Sequence, residues 1–151
     1  MAYNVFKFTP SHTNDFVPQP MQEDEWEAFQ VWDKDKNFSE FLEKKTASIT
    51  LELKGEIVSI MGVLPLPQAG GHLWLFMSEE VKGSDLLYVT KCVEGAIEGL
   101  KEVGYEWFQT PVRNEFKEGK RWARMLGFRE TDQEEDIMDN GTMYTYWTRV
   151  I

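Results

Sequence analysis

Several groups of side chains in this sequence have types and spacings that chemistry can use. Asp33-Lys-Asp-Lys-Asn37 places oxygen ligands at alternate positions, as the opening of a calcium loop does. The sixth position of such a loop needs glycine and is Phe38; the twelfth needs glutamate and is Lys44, so the stretch reads as a solvated turn between helices. His72 precedes one apolar strand and Glu79 and Glu80 follow it, where each could serve as a general base. The plainer reading puts His72 at a surface strand end and the two glutamates on a solvated loop. Lys117, Lys120, Arg121 and Arg124 form a basic helix face, and Asp132, Glu134, Glu135 and Asp136 an acidic run. The basic face offsets an acidic remainder, and the acidic run reads as a solubilising approach to a turn, with mimicry of DNA phosphates as the alternative. Cys92 lies between Val89 and Val93 on a helical pattern without a neighbouring histidine, and reads as a small packed residue.

The elements that must position these groups follow from periodicity. Tyr3 to Phe8 alternates as a strand, closed by Thr9-Pro10. Gln22 to Trp32 reads as a helix, with Trp26, Phe29 and Trp32 at three-residue steps and three acids in its first turn. A second helix starts at Ser39, a capping residue, and runs to Lys45. Ile49, Leu51 and Leu53 alternate with Thr50 and Glu52, which predicts a half-buried strand. Lys54-Gly55-Glu56 then turns the chain into Ile57–Leu64. Pro65 to Gly71 reads as a loop and Leu73–Met77 as a buried strand. Leu86, Val89, Val93, Ile97 and Leu100 predict a helix over Asp85–Val103 stopped by Gly104, with Asp85 as its cap. Tyr105–Thr110 is a strand ended by Pro111, Phe116–Leu126 an amphipathic helix, and Thr142–Val150 the last strand. Asp139-Asn140-Gly141 is the turn before that strand.

The order β-αα-βββ-α-β-α-β(β), with a further strand in the tail left open, is that of one α/β domain over residues 1–151, a length that can bury a full core. Sixteen Lys and Arg against 26 Asp and Glu give a net charge of −10, which argues against a nucleic-acid footprint and against an anionic membrane surface. A single cysteine excludes an internal disulfide and any multi-cysteine zinc site. No apolar run reaches membrane-spanning length, and Met1–Pro10 lacks the pattern of a secretory leader.

The element order and several segments resemble the GCN5-related N-acetyltransferases, the GNAT family. Lys120-Arg-Trp-Ala-Arg-Met-Leu-Gly-Phe128 is similar to the family's helix ending in Leu-Gly-Phe. With Arg-Trp in its final turns it resembles tailed-phage GNAT-like proteins, including relatives of the internal virion protein A group. Gln22-Glu-Asp-Glu-Trp-Glu27 resembles that group's acidic first helix, Gly55-Glu-Ile-Val-Ser-Ile-Met-Gly-Val63 its central hairpin strand, and His72-Leu-Trp-Leu-Phe76 the strand leading to the cofactor loop. About residues 14 to 131 are covered.

The resemblance implies a GNAT-like fold, a central mixed and mostly antiparallel sheet flanked by helices, and a site for acetyl-CoA. It implies no metal. The family's pyrophosphate turn reads Arg/Gln-x-x-Gly-x-Gly/Ala at a helix N-terminus, where backbone N–H groups meet the anion. The matching frame is Glu80-Val-Lys-Gly83-Ser-Asp85. Gly83 fits, and Lys82 and Ser84 supply phosphate-compatible side chains, whereas Glu80 and Asp85 put carboxylates where the family has a cation or amide and a small residue. A carboxylate about 4 Å from a phosphate costs roughly 1 kcal/mol in water-like surroundings and several-fold more when partly buried. The family's proton-donating tyrosine falls on Ala123, so a substitute would be Tyr105 or Tyr144, both of which also read as strand core. Backbone N–H groups along Leu73–Met77 would polarise the thioester carbonyl.

Two functions follow as expectations. In the first, a phage-type GNAT-like protein with a degenerate acetyl-CoA site acts in the host cytoplasm, or in the virion, by binding and modulating a host or virion protein. Part of its tryptophan set (Trp26, Trp32, Trp74, Trp107, Trp122 and Trp147) would then form a contact patch. In the second, it is an active N-acetyltransferase that modifies a host protein amine. The oligomeric state is left open by the sequence.

Overall fold

In the computed structural model the described residues are 3–151, apart from the side chains of Asp35 and Lys36. Seven strands form one mixed sheet flanked by helices, in the order β1-β2-β3-β4-β5-β7-β6. The residues gather into two compact units: the chain up to Leu64 with Trp74–Val89, and Pro65–Leu73 with Thr90–Ile151.

The first unit holds β1 (Tyr3–Lys7), α1 (Glu23–Lys36), α2 (Phe38–Lys45), β2 (Ala47–Leu53), most of β3 (Glu56–Leu66), the end of β4 (Gly70–Met77) and the start of α3 (Ser84–Glu102). Lys54 and Gly55 both have positive φ, 54° and 82°, which is the backbone a tight antiparallel hairpin requires. The core joins Phe8, Phe16, Trp26, Phe29, Leu42, Ile60 and Phe76. Trp26 stacks on Phe29 with ring centroids 5.3 Å apart, and Phe76 meets Trp26 edge-on at 4.9 Å.

Three expectations shift here. α1 runs one turn beyond Trp32, to Lys36, and Asn37 in the left-handed region (φ 52°) ends it. α2 therefore begins at Phe38, and Ser39 is not its cap; the Ser39 N–H and hydroxyl both donate to the carboxylate of Asp33. That bond gives the first oxygen of the calcium-like stretch a structural use, and no cluster of three or more metal-ligating side chains forms among the described residues. β2 is covered on both faces, because Thr50 and Ser48 are buried with their hydroxyls on His12 Nδ1 and the Leu42 carbonyl.

The second unit contains the start of β4, most of α3, β5 (Trp107–Arg113), α4 (Lys117–Met125), β6 (Arg129–Glu135) and β7 (Tyr144–Val150). β4 and β5 run parallel through the pairs Gly70–Trp107, Gly71–Phe108 and His72–Gln109. Gly70 and Gly71, expected in a loop, thus open β4. At Gly70 a β-carbon would come within 2.3 Å of the Trp107 indole, so any side chain there would have to displace that ring. Pro111 does not stop β5, which continues to Arg113. Proline is tolerated there because the β4 ladder ends at Gln109, leaving β5 a ladder partner on the β7 side alone. The acidic run is strand, not loop approach: Asp132, Glu134 and Glu135 lie on β6, at the sheet edge.

Candidate cofactor site

The end of β4 and the chain after it carry the cofactor residues expected from the sequence, and their surroundings change at Ser78. The Ser78 N–H donates to the Val58 carbonyl at 2.8 Å, and the Ser59 hydroxyl donates to the Phe76 carbonyl at 3.0 Å. Phe76 and Ser78 therefore turn their backbone groups toward β3, and by strand alternation Leu75, Met77 and Glu79 turn theirs to the opposite edge.

That opposite edge is occupied by the chain itself. Gln19 N–H donates to the Met77 carbonyl at 2.9 Å, Glu79 N–H to the Val17 carbonyl at 3.3 Å, and Pro18 bridges to Ser78. The buried side chain of Gln22 closes the remaining gap, with Nε2 donating to the Leu75 carbonyl at 2.7 Å and Oε1 accepting the Met77 N–H at 2.9 Å. One amide thus copies a strand's donor–acceptor pair. The segment Val17–Gln22 lies along β4 as an irregular strand, a role that sequence reasoning missed. Its only signal was Pro18 and Pro20 framing a glutamine ahead of a helix. Met77, one of the N–H groups expected to polarise a thioester, is committed to Gln22.

After Ser78 the chain turns into the frame where the pyrophosphate loop is expected. The Ser78 hydroxyl and carbonyl take the N–H groups of Glu80 and Val81, which forms a tight turn. Val81 is buried, while Lys82, Gly83 and Ser84 are exposed. Gly83 has φ +59°, and a β-carbon there would meet nothing within 4 Å, so its glycine answers to backbone conformation and not to crowding. α3 starts at Ser84, which makes Asp85 a residue of the first turn and not the cap. Its carboxylate accepts the Tyr3 hydroxyl at 3.4 Å, and the Tyr3 ring stacks on Tyr88 one turn further along α3. Glu79 and Glu80 are exposed. The loop fits a pyrophosphate through the Gly83–Ser84 backbone, with Lys82 beside it. The strand before it does not offer a thioester the Met77 N–H, because the buried Gln22 amide already accepts it.

The residues considered for proton transfer in the second unit are placed differently. Ala123, in the family's tyrosine position, is 5% exposed, and Tyr144 is 0% exposed on β7. His72 lies within β4 and not at a surface end; it is half-buried, 3.3 Å from Gln109 Nε2, and burial pushes its pKa below the ordinary histidine value. Tyr105 is half-buried and stacks on Phe108. Tyr146 donates to Glu135 at 2.6 Å, and burial followed by that carboxylate pushes its phenol up to about 12. Burial likewise raises the Cys92 thiol. On α4, Lys117, Arg121 and Arg124 are exposed, with Arg124 over the buried Trp147 ring at 5.5 Å. In the acidic run Glu134 accepts from Asn114, and Asp136 holds the N–H groups of Asn140 and Gly141, so these carboxylates shape strand and turn. A cavity of about 230 Å³ between Leu66, Ala69 and Tyr105 lies at the C-terminal end of α3, where the helix dipole disfavours an anion.

No protein-family model matches this chain, and no curated protein matches it by sequence. Solved structures do match. An acetyltransferase of the GNAT family from Staphylococcus aureus Mu50 superposes over 99% of both chains with a TM-score of 0.73 at 15% identity. The ribosomal-protein-S18-alanine N-acetyltransferase from Escherichia coli aligns with 99% of this chain and 94% of its own, with a TM-score of 0.67 at 12% identity. A Bacillus subtilis acetyltransferase in complex with CoA covers 99% of this chain and 97% of its own, with a TM-score of 0.64 at 15% identity. The fold is that of the GNAT acyl-CoA N-acyltransferases. Among the described residues no helix is long and apolar enough to cross a membrane.

Proposed function

We propose that this GNAT-fold protein keeps a weakened CoA-binding loop, does not transfer acetyl groups efficiently, and acts by binding and modulating another protein. The observation that carries this reading is the Gln22 side chain on β4, which uses the Met77 N–H and the Leu75 carbonyl. A thioester carbonyl placed at Met77 would have to displace a buried, bidentate amide before being polarised. The enclosed Ala123 in the proton-donor position supports the same conclusion. Lys82, Gly83 and Ser84 would hold the pyrophosphate of acetyl-CoA, with the carboxylates of Glu80 and Asp85 opposing it. The fold shared with acetyltransferases, one of them crystallised with CoA, supports CoA as the cofactor.

The partner we propose is a host bacterial protein or a virion component, with the infected cell's cytoplasm or the virion as the setting, as the resemblance to tailed-phage proteins implies. Its supporting surface is on α1 and α2. Trp32 is 45% and Phe41 46% exposed, each in ring contact with the half-buried Phe38 between them. Exposed aromatics that already pack on one another make rigid anchors with little side-chain entropy left to lose. Of the other tryptophans, Trp26 and Trp147 are core, and Trp107 and Trp122 donate to Gln68 and Thr90. Affinity capture from bacterial lysate with the intact chain and with Trp32→Ser/Phe41→Ser tests this. Enrichment of a protein by the first and not by the second is expected; equal recovery by both would contradict the reading.

A further inference from the structure

The two edges of the sheet are unlike. β6 is blunted by Glu130, Asp132, Glu134 and Glu135, so a second strand arriving there would meet carboxylates. β1, at the other edge, carries no acid; its sequence is Tyr-Asn-Val-Phe-Lys, and Val5 is 55% exposed. Phe8 N–H donates to the Ser48 carbonyl on β2. By alternation Asn4 and Phe6 also face β2, and the N–H and C=O groups of Tyr3, Val5 and Lys7 face outward.

We infer that β1 pairs antiparallel with β1 of a second copy of this chain, with Val5 on the two-fold axis, and that the copy completes the charge of the α3 loop. In that register Val5 exchanges both backbone hydrogen bonds with its equivalent, and Tyr3 stands opposite the partner's Lys7. Tyr3, Val5 and Lys7 share one face of the strand. The Tyr3 hydroxyl on that face already donates to the carboxylate of Asp85. The partner's Lys7 is thereby brought beside the Tyr3–Asp85 pair, and Lys7 stands beside the same pair on the partner. The complementarity is satisfied twice by one symmetric contact. Asp85 is the acid in the first turn of α3, so the arriving ammonium offsets the charge that opposes a pyrophosphate at Gly83–Ser84. This consequence rests on the loop being the CoA site; the pairing itself does not. Five residues make a short ladder, which fits a concentration-dependent dimer in place of an obligate one.

Sedimentation velocity on the full chain across micromolar to millimolar protein tests the pairing without cofactor. A reversible dimer is expected. Val5→Pro removes an outward N–H without touching the β2 ladder, and is expected to leave only monomer. Lys7→Glu, which leaves the backbone unchanged should Val5→Pro fail to fold, is expected to weaken the dimer about tenfold. The charge swap Lys7→Glu/Asp85→Lys is expected to restore it, and Glu134→Lys on β6 to change nothing. A chain that stays monomeric throughout, or a dimer unaffected by Lys7→Glu, would overturn the inference. A dimer that forms as expected while CoA binding is equal in Lys7→Glu and the unsubstituted chain would leave the pairing and remove its link to the loop.

Discussion

Within a few residues of Ser78 the chain treats two stretches of backbone in opposite ways. Before it, at Leu75–Met77, the Leu75 carbonyl and both backbone groups of Met77 are taken by Gln19 and Gln22. After it, at Lys82–Ser84, the chain leaves a glycine turn and a helix N-terminus open to solvent. The resemblance to acetyltransferases puts an acyl-CoA cofactor, if one is bound, along both stretches. The sealed one is where a carbonyl would be polarised, and the open one is where an anion would be held. Holding a cofactor and acting on it are separable properties, and here they rest on different chemistry. An anion at a helix N-terminus would be held mostly by backbone and would survive side-chain change, whereas a carbonyl site needs N–H groups that a single glutamine can occupy.

The contrast is broken most strongly from the sealed side. Gln22→Ala leaves the Met77 N–H and the Leu75 carbonyl without the partners Gln22 provides. The expected loss is about 2–4 kcal/mol in urea unfolding, together with tighter binding of acetyl-CoA than of CoA. Unchanged stability would mean that the seal is incidental. On the open side, Gly83→Val forces a β-branched residue to φ +59° and is expected to cost about 1–2 kcal/mol and to weaken CoA binding. Glu80→Arg replaces an opposing charge with a favourable one and is expected to tighten CoA binding about tenfold in calorimetry, with stability changed by less than about 0.5 kcal/mol.

The smallest effect concerns pH and compares the two units through one histidine each. His12 accepts the Thr9 N–H and lies 2.7 Å from the Thr50 hydroxyl, and His72 lies beside Gln109. Burial is the leading cause that pushes both below the ordinary histidine value, opposed at His12 by Glu52 and Glu43. The unfolded chain therefore takes up these protons first as pH falls. The stability they contribute is complete above about pH 6.5 and declines as pH drops through the folded values. Urea midpoints measured between pH 7.5 and 5 should fall, and His12→Gln and His72→Gln should each flatten the slope; an unchanged slope in both would contradict the assignment.

Much of the fold was legible because its signals are local. The period-two run at Ile49–Leu53, the glycine turn at Gly55 and the long apolar repeat from Leu86 to Leu100 each mark an element within a few residues. The misreadings came from partners distant in sequence. Gly70 and Gly71 looked like loop because nothing local shows that Trp107 will press on Gly70. Thr50 looked exposed because its partner, His12, lies 38 residues away. At the site, the loop frame Glu80–Asp85 came from the resemblance to the family's pyrophosphate turn, matched at Gly83, and its acidity was visible at once. The seal could not be found, since a glutamine side chain bridging 53 residues to a strand leaves no periodic trace.

Isothermal titration of the full chain with acetyl-CoA and, separately, with CoA tests the central claim most directly. Weak, millimolar-range binding of both with no preference for the acetylated form is expected, because the loop holds the shared pyrophosphate and the strand edge ignores the acetyl group. Micromolar binding that favours acetyl-CoA over CoA would contradict the account and return the protein to the working acetyltransferases.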